Sequence, residues 1–212
     1  MSYILFGTIN TKTDCGFMTA PYEIPLPKAQ TAYVTVPGRD GTLDLSEGFG
    51  TVRYADRTIT VALYAVGNNR QNISSFVNAV HGKRMNITFS KDPLWYYAGR
   101  VNVSSVAKSD GYSTLTVQIT ASPYKRKLAE TSVTVTGNGT ATLTNSRMPV
   151  VPRVTTTAAA VLEFPLHGET ARVELTTGTH TVPSLELSDS ETKQVSVTSQ
   201  GTTTFTYREG AL

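Results

Sequence analysis

Alternation of apolar and polar residues constrains the fold of this chain more than any other sequence feature. In RTITVALYA (57–65), Ile59, Val61 and Leu63 alternate with threonine and alanine, and TLTVQI (114–119) repeats the pattern with leucine, valine and isoleucine. A period of two residues places successive side chains on opposite faces of a β-strand. Both segments are therefore predicted to be strands with one buried face and one solvent-facing face.

Further segments of the first 130 residues follow the same rule. Tyr33 and Thr35 alternate with Val34 and Val36, which predicts another half-buried strand. NITFS (86–90) and GRVNVSSVA (99–107) are predicted to be two more strands. The segment Lys108–Gly111 contains turn-forming residues, so we expect it to join 99–107 to 114–119 as a hairpin.

One helix is predicted, in NRQNISSFVNAVHGK (69–83). Asn69 or Asn72 can cap its start, and Gly82 stands where a left-handed C-terminal cap belongs. The prediction rests on apolar residues that recur at positions i, i+3, i+4 and i+7. These residues are Ile73, Phe76, Val77 and Val80.

The composition changes near residue 130. After ASPYKRKLAE (121–130), threonine becomes more frequent while lysine and arginine become scarce. We therefore place a domain boundary there, which gives domains 1–130 and 131–212. The first domain contains 14 Lys and Arg against 9 Asp and Glu, and the second 5 against 7. These charges are scattered along the chain, which is a weak signal for nucleic-acid binding.

The second domain is predicted to be a small β-sandwich made of short strands. SVTVT (132–136) and TATLT (140–144) flank Gly137-Asn138-Gly139, which is typical of a tight hairpin turn. Four later segments, ARVEL, SLELS, QVSVTS and TTTFTY, are predicted strands.

The sequence does not indicate catalysis, a cofactor or a metal. DGTLDLSE (40–47) resembles a calcium loop only in part, because Thr42 is a poor ligand and Leu45 replaces the required glycine. The three histidines are too far apart in sequence to form a zinc pair. No nucleophile elbow or phosphate-binding loop is present. We expect neither an enzyme nor a cofactor-binding protein.

The location of the protein also follows from simple features. No run of about eighteen apolar residues is present, so we expect no membrane insertion. A single cysteine, Cys15, cannot form an intramolecular disulfide, which fits folding in a reducing cytoplasm.

The turn PGRDG is predicted to be rigid. Pro37 presets its own φ, Gly38 and Gly41 permit positive φ, and Asp40 can accept hydrogen bonds from amides of the loop. Such a turn holds Arg39 in a fixed direction, and a fixed guanidinium suits bidentate pairing with the carboxylate of a neighbouring chain.

Aromatic residues concentrate in SKDPLWYYAGR (90–100). Trp95, Tyr96 and Tyr97 stand beside Arg100 and several other charges. This mixture is typical of a protein interface or of sugar stacking, and alternate aromatic residues on a strand are equally typical of a core. The alternatives remain open at this point.

Several motifs, taken in order along the chain, resemble those of one protein family. They are PGRDG (37–41), LDLSEGFG (43–50), RTITVALYA (57–65), the HGK (81–83) that ends the helix, NITFSKDPLWYYAGRV (86–101) and SPYKRK (122–127). Together they resemble the N-terminal domain of the distal tail proteins of long-tailed, non-contractile bacteriophages. The resemblance covers most of residues 1–130.

The resemblance implies a mainly β fold in two domains. The N-terminal domain (1–130) would be a ring-forming β-sandwich or β-barrel-like domain with one α-helix. The C-terminal domain (131–212) would be a small galectin-like β-sandwich, although 82 residues are few for the usual galectin-like domain of the family.

The resemblance also implies a virion structural protein of the phage tail, assembled in the host cytoplasm. It would form a homohexameric ring at the distal end of the tail, between the tail tube protein and a tail-tip or tail-associated protein. Receptor-binding or other baseplate proteins would be further partners. Genomic DNA would pass through the central channel without specific binding.

Six residues are predicted to form the oligomer interface or the scaffold that supports it: Arg39, Asp40, Trp95, Tyr96, Tyr97 and Arg100. A carbohydrate-binding module or lectin-like adhesin is the alternative function, and a glycosidase is a third. Residues 131–212 contain three aromatic residues and no tryptophan, which argues against sugar binding by that domain.

Overall fold

The computed structural model describes residues 2–48, 51–67 and 69–212. The chain folds as two compact units, Met1–Lys125 and Arg126–Leu212. The boundary expected from composition lies a few residues later, between residues 130 and 131. Strands predominate in both units, so the predicted mainly β fold is confirmed.

The first unit contains one large antiparallel sheet and two small ribbons. Its strands are β1 (Ile4–Phe6), β2 (Ile9–Asn10), β3 (Phe17–Thr19), β4 (Ala29–Gln30), β5 (Tyr33–Thr35), β6 (Thr42–Asp44), β7 (Arg53–Tyr54), β8 (Arg57–Val66), β9 (Arg84–Phe89), β10 (Trp95–Ser109) and β11 (Tyr112–Ala121). The large sheet has the order β2-β1-β9-β10-β11-β8-β3, while β4 pairs with β7 and β5 pairs with β6.

Strands β8 and β11 show why alternation predicts this sheet well. Their apolar residues stand opposite each other in register, with Leu63 beside Leu115 and Val61 beside Val117. These four side chains are all buried. Ala62 and Thr116, which lie between them, pair with each other and face the other way, as a period of two requires. The predicted hairpin between β10 and β11 is also confirmed, and Gly111 provides its positive φ of 83°.

The predicted helix is confirmed as α1 (Arg70–Val80). Phe76 is buried between two other rings, in edge-on contact with Phe6 at 5.5 Å and with Phe17 at 5.4 Å. Gly82 follows the helix in the predicted left-handed conformation, with a φ of 73°. The Asn69 side chain does not cap the helix but donates to the Val66 carbonyl at 2.7 Å.

The second unit is a sandwich of two four-stranded sheets, ordered β13-β20-β15-β18 and β14-β19-β16-β17. Its strands are β13 (Thr131–Thr136), β14 (Gly139–Thr144), β15 (Arg153–Thr156), β16 (Ala160–Leu166), β17 (Glu169–Leu175), β18 (Gly178–Thr181), β19 (Thr192–Ser199) and β20 (Thr202–Tyr207). The short β12 (Lys125–Lys127) and β21 (Gly210–Ala211) pair with each other. Val154 and Phe205 from one sheet share a core with Leu162, Phe164 and Val197 from the other.

The predicted hairpin at Gly137-Asn138-Gly139 is wrong. Strand β13 pairs with β20, whereas β14 pairs with β19 in the opposite sheet. Each strand has one apolar face, and the change of sheet lets both faces point into one core. Asn138 holds the connection in place by accepting from the Ser199 amide at 3.0 Å.

The predicted strand SLELS is also wrong, because Pro183–Leu185 forms a 3-10 helix. Pro183 has no backbone N–H and cannot donate to a strand ladder, but it suits the first turn of a helix. Leu185 and Leu187 are both fully buried, so the apolar residues still reach the core. The other three predicted strands of this unit lie within β17, β19 and β20.

Within the described residues, no helix has both the length and the apolar character needed to cross a membrane.

Candidate interaction surface

An exposed hairpin follows β4 in the first unit. It comprises residues 31–48 and is called the arm below. Within the part of the chain that the structure describes, strands β5 and β6 pair only with each other, with Tyr33 opposite Asp44 and Thr35 opposite Thr42. Every residue from 31 to 42 is exposed. The prediction that β5 is half-buried is therefore wrong, because a two-stranded ribbon has no further layer against which one face can pack.

The arm exposes apolar side chains to solvent. The exposed fractions are 58% for Tyr33, 45% for Val34, 37% for Val36 and 43% for Leu45. Apolar side chains that are exposed together on one element are typical of an interaction site. The arm is therefore the strongest candidate for a contact surface in the first unit.

The turn at the tip of the arm has the predicted backbone. Gly38 has a φ of 81° and Gly41 a φ of 77°, and the Arg39 amide donates to the Val36 carbonyl at 3.2 Å. The side chains of Arg39 and Asp40 are exposed at this tip. Neither side chain has a hydrogen bond or an ion pair with the described part of the chain, so both charges are available to a partner.

The carboxylate that braces the arm is Asp44 and not Asp40. Asp44 Oδ1 accepts from the Ser46 amide at 2.9 Å and from the Ser46 hydroxyl, and Ser46 Oγ accepts from the Ala32 amide at 3.0 Å. The hydrogen bonds from the Ser46 hydroxyl and amide hold the pKa of Asp44 below its usual value. The spacing of aspartate two residues before serine indicates this turn in the sequence.

Two of the predicted interface aromatics are buried in their own unit. Tyr97 is 5% exposed and Tyr96 is 8% exposed. The Tyr97 ring packs edge-on against Phe89 at 5.8 Å. These positions fit the core alternative that the sequence left open, and they favour a supporting role over direct contact with a partner.

Trp95 lies in a small cluster of charges. The Lys125 ammonium is 5.1 Å from the centre of the indole ring and 2.7 Å from Asp92 Oδ2. A cation over an indole ring is attracted by its π-electrons, and here the carboxylate also orients the ammonium. The indole is half-buried, so part of its surface remains accessible.

Arg100 joins the sheet to the end of α1. Its side chain is exposed, and its Nη1 donates to the Gly82 carbonyl just beyond the helix. A cation at a helix C-terminus is favoured by the helix dipole.

The six predicted residues are thus divided between the tip of the arm and strand β10. Phe49 and Gly50, which belong to the LDLSEGFG motif, lie outside the described residues.

Arg57 is an important residue that the sequence-based prediction missed. It is 3% exposed, and its guanidinium donates to the Pro25 carbonyl at 3.2 Å and to the Pro123 carbonyl. It also lies 5.3 Å from the centre of the Tyr97 ring. Burial lowers the pKa of this guanidinium. The sequence does contain a signal for this burial. Arg57 lies two residues before Ile59 in the alternating pattern, so it is on the same buried face of β8.

No group of three or more metal-binding side chains occurs among the described residues. The candidate surface offers the exposed apolar side chains of the arm and the charges of Arg39 and Asp40.

Comparisons with known proteins identify the fold but not the family. No protein-family model and no curated protein matches this chain. Among solved structures, the crystal structure of the Dit protein (gp 19.1) of phage SPP1 matches with a TM-score of 0.72 and 14% identity, over 100% of each chain. The chain has the Dit fold. SPP1 Dit is described as a paradigm of the hub adsorption apparatus in phages that infect Gram-positive bacteria. The predicted resemblance to distal tail proteins is thus confirmed at the level of the fold.

Proposed function

We propose that this chain is a structural component of a phage tail and that six copies form a ring at its distal end. The observation that carries the proposal is the similarity to the Dit fold over the whole of both chains. The ring would connect the tail tube protein to a tail-tip or tail-associated protein, with receptor-binding or other baseplate proteins attached. The first unit would build the ring.

The arm supplies the contact that a ring requires. An isolated two-stranded hairpin is only marginally stable in water, and this one keeps Tyr33, Val34 and Val36 exposed. A head-to-tail contact, in which the arm of each copy covers a surface of the next, repeats around a closed ring. Covering the arm would bury its apolar side chains and would place Arg39 opposite a neighbouring carboxylate.

The outward face of the large sheet suits a channel for DNA. Thr58 stands beside Thr120, and Thr60 stands beside Gln118, which in turn stands beside Asn102. All five side chains are exposed, polar and uncharged. Tight phosphate contacts require several lysines or arginines. The exposed Arg100 and Arg84 continue the row beside Thr120, so this face combines two arginines with uncharged side chains and would hold DNA only weakly. We assign this face to the channel.

Native mass tests the ring. Six copies of a 22.9 kDa chain have a mass of about 137 kDa. Light scattering behind size exclusion, over a concentration series, is expected to show this species, and negative-stain images should show a ring with an open centre. A chain that remains a monomer at every concentration, alone and with its tail tube protein, would contradict the proposal.

A matched pair of variants tests the arm. Val34→Asp places a charge on the arm at a position that is 45% exposed, and Val106→Asp places the same charge on β10 at a position that is 42% exposed. We expect Val34→Asp to remain a folded monomer and Val106→Asp to assemble. Arg39→Ala should also weaken assembly. Normal assembly of both arm variants would assign the ring contact elsewhere.

A further inference from the structure

The second unit contains a cleft of about 490 Å³ beside its 3-10 helix. Pro165 and Pro183 provide apolar surface at the cleft, and Ser184, Glu186, Glu191 and Lys193 provide polar groups. Small-molecule sites in proteins have volumes in this range and combine apolar surface with a few placed polar groups.

Lys193 makes this cleft unusual. Its side chain is only 6% exposed, yet it lines the cleft. The ammonium donates to the Glu186 carbonyl at 2.7 Å and contacts Glu191 Oε1 at 3.2 Å. An ammonium has three N–H donors. The third has no acceptor among the described residues, and an unsatisfied buried donor is unfavourable. A ligand oxygen in the cleft would satisfy it.

The charges around Lys193 restrict the chemistry of that ligand. Glu186 and Glu191 carry two negative charges against one ammonium, so an anionic ligand would meet net repulsion. Burial raises the pKa of Glu191, but hydrogen bonds from Ser188 and Lys193 outweigh this effect and lower it overall. Glu191 is therefore an ionised acceptor at neutral pH. Its Oε2 is fixed by the Ser188 amide at 2.6 Å.

We propose that this cleft binds a single neutral sugar ring. One ring hydroxyl oxygen accepts from the free N–H of Lys193, and neighbouring hydroxyls donate to the carboxylates of Glu186 and Glu191. The C–H faces of the sugar pack against Pro165 and Pro183. A neutral polyol is the ligand that both donates and accepts without adding charge. Sugar binding at this cleft does not require ring formation, because every lining residue belongs to the second unit.

No phenylalanine, tyrosine or tryptophan is among the described residues that line the cleft, and His167 is its one aromatic ring, which limits affinity. Sugar binding usually relies on stacking, and hydrogen bonds that replace water contribute only modestly. We therefore expect a dissociation constant on the order of 1 mM for a free monosaccharide. The scarcity of aromatic residues in 131–212 argues only against sugar binding by stacking. The structure adds a buried ammonium paired with carboxylates, which is a different means of recognition.

Saturation-transfer NMR on the full chain tests the proposal at any assembly size. The probes are the methyl glycosides of glucose, galactose and mannose, together with N-acetylglucosamine, and glucuronic acid serves as the anionic counterpart. We expect at least one neutral sugar to receive saturation, with glucuronic acid at least fivefold weaker. No transfer to any neutral sugar at about 20 mM, or equally strong transfer to glucuronic acid, would overturn the proposal.

Two variants locate the binding. Lys193→Met is expected to weaken binding at least tenfold, but the loss of a buried ammonium can also lower stability. Ser184→Leu narrows the cleft at a half-buried position and leaves Lys193 in place. Ser196→Leu, at an exposed position on the outer face of the same unit, is the matched control. Binding must be lost in Ser184→Leu and kept in Ser196→Leu, and any other result places the sugar elsewhere and overturns the proposal.

Discussion

Replacing Arg57 tests how the first unit holds its connecting segments. Arg57→Met keeps the apolar stem but removes the hydrogen bonds to the Pro25 and Pro123 carbonyls and the contact with Tyr97. Hydrogen bonds from a charged donor contribute roughly 1.5–3 kcal/mol each, and a cation–π contact roughly 1 kcal/mol. Removal of the buried charge offsets several kcal/mol of this loss. The expected net loss is about 2–3 kcal/mol.

The single tryptophan makes the measurement specific to the first unit. Trp95 lies in that unit, and the second unit has no tryptophan. Urea unfolding followed by Trp95 fluorescence should therefore report directly how much unfolding free energy the first unit loses. In a unit of this size, a loss of 2–3 kcal/mol lowers Tm by roughly 10 °C. Arg57→Lys should lose at least as much, since an ammonium does not reproduce the fork of a guanidinium.

Arg53→Met is the control for this prediction. Arg53 is exposed on β7, so its replacement should change stability by less than about 0.5 kcal/mol. The reasoning would be refuted if Arg57→Met and Arg53→Met had the same unfolding midpoint. That result would mean that Arg57 occupies its buried position without stabilising the segments at Pro25 and Pro123.

Three further predictions follow from packing, hydrogen bonding and charge. Gly99→Ala should destabilise the first unit by about 1–3 kcal/mol, because the new Cβ would lie 2.8 Å from the Thr120 carbonyl oxygen; an unchanged urea midpoint would contradict this. Tyr207→Phe should lower the unfolding free energy of the second unit by about 1 kcal/mol, as measured by calorimetry. The Tyr207 hydroxyl donates to the Thr144 carbonyl at 2.7 Å and accepts from the Thr144 amide at 3.1 Å. The control Thr206→Ser, on the outer face, should lower it less. The folded pKa of Glu191 lies below its unfolded value of 4.5, so its ionisation stabilises the fold above about pH 4.5. That contribution is lost as pH falls through the folded pKa, and the Tm difference between the wild type and Glu191→Gln should shrink in acid.

Local features account for the parts of the fold that the sequence predicted well. The alternation in 57–65 and 114–119 identified β8 and β11, and the apolar spacing around Phe76 identified α1. The positive φ of Gly38 and Gly41 followed from turn chemistry alone. Each of these features depends on residues within a few positions of one another, so a single sequence contains the necessary information.

The candidate surface was predicted less well, because exposure depends on distant parts of the chain. Tyr33 alternates like a half-buried strand residue, but among the described residues no third strand joins the ribbon. Tyr96 and Tyr97 have the composition of an interface and yet lie in the core. Arg57 occupies an apolar position in the alternation, and its partners Pro25 and Pro123 are far from it in sequence.

The sequence by itself determined which segments are strands, where the helix lies and which turns need glycine, because these follow from the geometry of neighbouring residues. Only the tertiary structure decided which strands pair. The strands on either side of Gly137-Asn138-Gly139 belong to opposite sheets, since both must turn their apolar faces into one core. The same non-local packing leaves the arm exposed and buries Lys193 beside a cleft. Partner choice and burial are properties of the whole folded chain, and local sequence patterns do not specify them.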